Sequence, residues 1–210
     1  CRWLRLVTLG PICFLGSAWS GKCVRCGRMI SRTQRILVFE LCGTVFMIVI
    51  GSALHFVFNW VGGWPPVALI AAVNESIWEH LKLAFWPGLF WAGIMPRPMG
   101  VHRRDILAAK GLSLFATAIL IVVIFTGYTA ILGRNLLWLD ISTFVLAILV
   151  GQVLSAALLA SSGFQHDAFR RACLSLLGLQ VLAFSLFTFL APDHWLFIEA
   201  SSGLRGIPAP

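Results

Sequence analysis

Residues 106–132 read ILAAKGLSLFATAILIVVIFTGYTAIL, and Lys110 is the single charged side chain among them. At about 1.5 Å of rise per helical residue, this run is long enough to cross a hydrocarbon layer of about 30 Å with some tilt. Four more apolar runs of spanning length surround it: Ile36–Phe58, Ser76–Met95, Leu136–Ala160 and Ala172–Leu190. The runs are continuous rather than alternating, which predicts helices and not barrel strands. Helices also satisfy their backbone groups within the segment, as lipid requires. The expected fold is therefore all-α, a polytopic transmembrane helical bundle of five spans. Val67–Val73 is too short to cross and reads as a re-entrant or interfacial segment after the first span. The small residues Ala156, Ala157 and Ala160 predict close helix approach.

Composition supports the same reading. The chain is 59% hydrophobic and 11% charged, with mean hydropathy +0.90. Soluble domains run at about 45–50% apolar and about 25% charged, and a soluble fold of this size could not hide the excess. The lipid bilayer is the expected partner. A net charge of +8 raises the question of nucleic acid. The charges lie mostly in short loops, however, and no Lys/Arg block is interleaved with exposed aromatics, so no nucleic-acid surface is expected. Cys23 and Cys26 form a C-x-x-C with no second pair to complete a metal site. Leu6–Ser20 is apolar but short of a span and broken by Gly10, Pro11 and Gly16. Residues 1–28 are expected to be an N-terminal extension without functional weight, with Met29 the natural start. Residues 29–210 are expected to form a single transmembrane helical domain.

Charge sets an expected direction. One side collects Arg2, Arg5, Lys22, Arg25, Arg28, Arg32, Arg35, Arg97, Arg103, Arg104, Lys110, Arg170 and Arg171, and the other holds only Lys82, Arg134 and Arg205. The positive-inside rule then predicts a multi-pass protein of the inner (cytoplasmic) membrane, N-terminus cytoplasmic and C-terminus outside.

Most of the chemistry-bearing residues fall on the less basic side. His55 and Asn59 close the first span, and Asn74-Glu75-Ser76-Ile77-Trp78-Glu79-His80-Leu81-Lys82 opens the second. Antiparallel neighbours joined at that side should bring His55, Glu79 and His80 together. Ionisable groups entering a membrane helix are costly and mark candidate sites. Carboxylates with imidazoles suit a divalent metal such as zinc, or general acid–base work. His55, Glu79 and His80 are the expected metal ligands, and Glu75, Glu79 and His80 the catalytic candidates, with Glu75 as general base. Helical spacing puts Glu75, Trp78, Glu79 and Lys82 on one face.

A purely structural account competes with this one. Ser76-x-x-Glu79 is a capping box, Lys82 can snorkel to the interface, and Trp60, Trp64, Trp78, Trp138 and Trp195 can form an aromatic belt. Glu40 is expected to meet the helix dipole or Arg35. Gln152 and Gln180 should make interhelical hydrogen bonds, His102 and His166 should be solvated, and Pro87-Gly88 should kink the second span.

The stretches Leu54-His55-Phe56-Val57-Phe58-Asn59-Trp60 and Val73–Lys82 resemble an uncharacterised bacterial integral-membrane family, a domain of unknown function. That family carries L-H-F-x-[YF]-x-W and V-N-E-S-x-W-E-H-L-K. Phe187-Thr188-Phe189, Leu196-Phe197 and Ser202–Ile207 are similar to its ending, with Arg205 in place of an aromatic. The resemblance covers roughly Met29–Ile207 and implies the fold without an activity.

The functional expectation is a membrane-embedded metal-dependent hydrolase with its site at the outer face. The alternatives are a small transporter or ion-binding protein, and a non-catalytic structural subunit of a membrane complex. Neither H-E-x-x-H nor G-x-S-x-G is present.

Overall fold

A computed structural model describes residues 31–94, 100–161, 164, 166–199 and 202–207. The extension, its C-x-x-C and Arg97 lie outside these residues. Five helices account for most of the remainder: α1 (Arg32–Trp60), α2 (Ile77–Ile94), α3 (Arg103–Leu132), α4 (Leu137–Ala160) and α5 (Asp167–Phe189). No strand occurs among the described residues, where one antiparallel bridge joins Ile198 to Arg205. The bundle is all-α, as its continuous apolar runs predict.

Four of the helices, α1, α3, α4 and α5, are long and apolar enough to cross a membrane. α2 differs because it carries Glu79, His80 and Lys82 in its first turns, and most of its residues are buried. It has the largest share of buried residues of the five helices, its polar first turns covered by neighbouring protein rather than by lipid. The Val67–Val73 stretch begins within a short 3-10 helix, Pro65–Leu69, whose Ala68 is fully buried.

The helices alternate in direction. Arg32 at the start of α1 donates to the Leu159 carbonyl at the end of α4. Arg103 at the start of α3 donates to Gly93 at the end of α2. At the opposite end the Tyr128 hydroxyl of α3 donates to Asp140 of α4. α1 packs on α2 and α4, and α3 packs on α2, α4 and α5. The first four helices thus form a ring, with α1 and α3 on its diagonal and α5 outside α3.

Close approach depends on small residues at particular points. A Cβ on Gly51 of α1 would lie 2.6 Å from the Leu83 carbonyl oxygen of α2. That is the carbonyl Pro87 leaves without its helical N–H partner, so Gly51 lets α1 cover it. Of the three alanines expected to mediate packing, Ala156 is buried while Ala157 and Ala160 are exposed. The aromatic belt is likewise partial. Trp60, Trp64, Trp138 and Trp195 are more than half exposed. Trp78 instead packs against Phe184 and Phe197 with tilted rings, their centroids 4.7 and 4.6 Å away.

The diagonal of the ring holds a buried polar cluster near the arginine-rich end. Lys110 Nζ donates to Glu40 Oε2 and to Gln152 Oε1, each at 2.6 Å. Ser155 Oγ donates to Glu40 Oε1 at 2.8 Å, and Gln152 Nε2 donates to the Glu40 backbone carbonyl at 3.1 Å. Lys110, placed with the loop charges in the charge count, is fully buried, and its ammonium rather than Arg35 meets Glu40. Gln180 makes the expected interhelical bond, donating to Gly111 at 2.8 Å.

Candidate functional site

α2 begins at Ile77, so Glu75 lies in the loop before it rather than on its face. Asn74 shapes that loop. Its Oδ1 accepts the Ser76 N–H at 2.9 Å, an Asx-type turn, and its Nδ2 donates to the Gly206 carbonyl at 2.9 Å. Ser76 Oγ accepts the Glu79 N–H at 3.4 Å, which is half of a capping box. The other half is absent, because the Glu79 carboxylate accepts from Val73 N at 3.0 Å instead of turning back to Ser76.

Glu79 and His80 consequently point to different places. Glu79 is buried and meets Lys82 Nζ at 2.6 Å. Lys82 is fully buried and does not snorkel: it also donates to the Ala68 carbonyl at 2.7 Å and to Thr188 Oγ1 at 3.1 Å. Three acceptors match the three N–H donors of the ammonium. This knot ties the 3-10 helix and α5 to α2. It engages Glu79 away from the position expected of it as a metal ligand.

His80 turns outward to His55 of α1, their ring centroids 5.3 Å apart. Between them stands Glu75, with one carboxylate oxygen 3.5 Å from His55 Nε2 and the other 3.4 Å from His80 Nε2. Ligand atoms of His55, Glu75 and His80 all lie within 4.8 Å of one another. The structure therefore gathers His55 and His80, as their place in the sequence predicts. It puts Glu75 where Glu79 was expected.

Hydrogen bonding assigns the protons. His80 Nδ1 is 2.9 Å from the Ser76 carbonyl, which can only accept, so Nδ1 carries the hydrogen. Nε2 is then aimed at a carboxylate, which can only accept: a neutral ring would leave two acceptors face to face, whereas an imidazolium would donate to Glu75. Such a pair needs a cation between its members, either a proton or a metal. Its hydrogen-bonding interaction with His80 holds the Glu75 carboxyl below the usual carboxylate range, outweighing partial burial, and His55 adds to the effect. His55 Nδ1 is buried without a hydrogen-bond partner.

The trio is open on one side: 59% of the Glu75 side chain and 37% of the His80 side chain are exposed. Beside it, Phe56 packs edge-on against His55 and stacks on Trp60, and both aromatics are largely exposed. The other acidic groups at this end have partners elsewhere. Asp140 is held by Tyr128 and Asn135, Asp193 by Arg205, and Glu199 by Ser202.

Sequence reasoning missed the burial of Lys82, the contact of Asn74 with Gly206 and the Glu40–Lys110 cluster. A usable signal existed for Glu79, since residues one apart on a helix do not share a face. Glu79 and His80 could not both have aimed at one ion without distortion.

Over residues 28–207 the chain matches the model of the Family of unknown function (DUF6512). No curated protein and no solved structure matches it.

Proposed function

Because the chain belongs to the Family of unknown function (DUF6512), its activity has to be read from its own residues, and we propose a membrane-embedded, metal-dependent hydrolase with His55, Glu75 and His80 as the metal ligands. The observation that carries this reading is the spacing within the trio. One carboxylate oxygen of Glu75 is 3.5 Å from His55 Nε2 and the other 3.4 Å from His80 Nε2, and one ligand atom from each of the three residues lies within 4.8 Å of the others, a convergence that a single ion would draw together. Two imidazoles, one carboxylate and an open fourth position make up the donor set of catalytic rather than structural zinc. The Ser76 carbonyl on His80 Nδ1 is the outer-shell contact that aims the ligand nitrogen at a metal.

A metal held there lowers the pKa of a bound water and so supplies a nucleophile near neutral pH. With Glu75 among the ligands and Glu79 tied to Lys82, neither serves as a free general base. The exposed Phe56 and Trp60 beside the trio favour an amphiphilic substrate lying along α1 at the membrane surface.

Purified protein should hold one zinc per chain. His80→Ala and His55→Ala should remain folded and lose it, and with it the cleavage of amphiphilic esters or phosphoesters in vesicles. Full zinc occupancy in both alanine variants, or none in the wild type, rules the site out.

The orientation belongs to the same reading. Arg32, Arg35, Arg103, Arg104, Arg170 and Arg171 gather at the end away from the trio, which supports an outward-facing site in the cytoplasmic membrane. Cysteines introduced at His102 and Arg134 provide the check. An impermeant thiol reagent should label position 134 and spare 102 in intact cells, and the reverse pattern would overturn the orientation.

A further inference from the structure

Of the three ligand candidates, Glu75 alone is not carried on a helix. Its geometry therefore comes from whatever holds its loop. The neighbouring Asn74 ends that loop in two directions: its Oδ1 caps Ser76, and its Nδ2 reaches the Gly206 carbonyl at 2.9 Å. The segment around Gly206 is itself anchored. Ile198 bridges Arg205, the Glu199 N–H donates to the Leu204 carbonyl at 2.9 Å, and Arg205 pairs with Asp193 at 3.2 Å. Gly206 adopts φ +65°, and a Cβ there would touch Ala191 at 3.5 Å, so the chain lies flat on the end of α5. Ile207 packs into the apolar cluster of Phe58, Ala68, Ala71 and Val73 beneath the loop.

We propose that residues 202–207 form a strap that acts through Asn74 to position Glu75 against His55 and His80, so that docking of the tail completes the metal site. The proposal rests on the metal reading above. Asn74 and Ile207 are positioning residues, since neither is among the ligand candidates. A partner that hydrogen-bonds a ligand directly is worth about 10–100-fold in metal affinity, and a change that displaces Glu75 itself is expected to cost at least the lower end of that range.

The test is a Co(II) titration of the full-length protein in detergent, following the d–d absorption. Asn74→Ser keeps an oxygen that can cap Ser76 but is too short to reach Gly206. Ile207→Ala removes the anchor without altering the loop, and Ile207→Val retains most of it. Asn74→Ser and Ile207→Ala should keep the helical circular dichroism of the wild type while Kd rises at least about tenfold. Their d–d bands should also change as Glu75 leaves the metal, and Ile207→Val should restore both readings. Wild-type Kd and spectra in Asn74→Ser and Ile207→Ala would overturn the strap and leave the metal site standing. If Asn74→Ser does not fold, the Ile207 pair decides alone. A wild-type protein that binds no Co(II) would remove the metal reading and the strap together.

Discussion

Glu79→Gln should destabilise the bundle by about 3–5 kcal/mol, the cost of breaking a buried ion pair by removing one partner. A capping box alone predicts almost no effect, because Gln caps as well as Glu. The difference comes from Lys82, whose fully buried ammonium has Glu79 as its only counter-charge at bonding distance among the described residues. Gln preserves the shape and leaves that charge uncompensated. Glu79→Gln combined with Lys82→Met removes both charges and should regain much of the loss, since a buried pair is often replaceable by apolar groups. Denaturation in mixed micelles compares both variants with the wild type. Stability of Glu79→Gln within about 0.5 kcal/mol of wild type would show that Lys82 does not need the carboxylate.

A loss of the same size, about 3–5 kcal/mol, is expected for Lys110→Met, which strands the Glu40 carboxylate in the centre of the ring. Ser155 would remain as its donor at 2.8 Å, one neutral hydrogen bond in place of an ion pair. Glu40→Gln with Lys110→Met should be far less damaging than the sum of the single changes, giving a coupling energy above about 1 kcal/mol in a double-mutant cycle. Additive single effects would mean that the two groups do not act as a unit. Neither residue lies near the trio, so metal binding by any variant that folds should be unaltered. That separates the cluster, as the lock that ties α1, α3 and α4 together, from the site at the other end.

The helices are readable because lipid leaves the backbone no alternative, so a long apolar run is already a structural statement. Observed α3, Arg103–Leu132, begins three residues before its apolar run and ends with it. α2 was readable as a helix, but the burial of its polar first turns was not. Its polar start resembles an interfacial end until the neighbours that bury Glu79 and Lys82 are known. The same limit applies to Trp78, which has the composition of a belt residue and the contacts of a core residue.

At the site, the sequence by itself determined that His55, Glu75, Glu79 and His80 lie at one end of the bundle. Antiparallel connectivity through the segment that joins α1 to α2 dictates that much. Which carboxylate faces the imidazoles was decided only by tertiary structure, because it turns on where α2 starts and on what draws Glu79 inward. Asn74 starts the turn that sets Glu75 apart from the helix, and its partner Gly206 is 132 residues away. Lys82 draws in Glu79 only because Thr188 and the Ala68 carbonyl complete its shell. Local spacing encodes the faces of a helix, whereas the choice between two nearby carboxylates depends on desolvation. Desolvation is a property of the packed bundle and of no single segment.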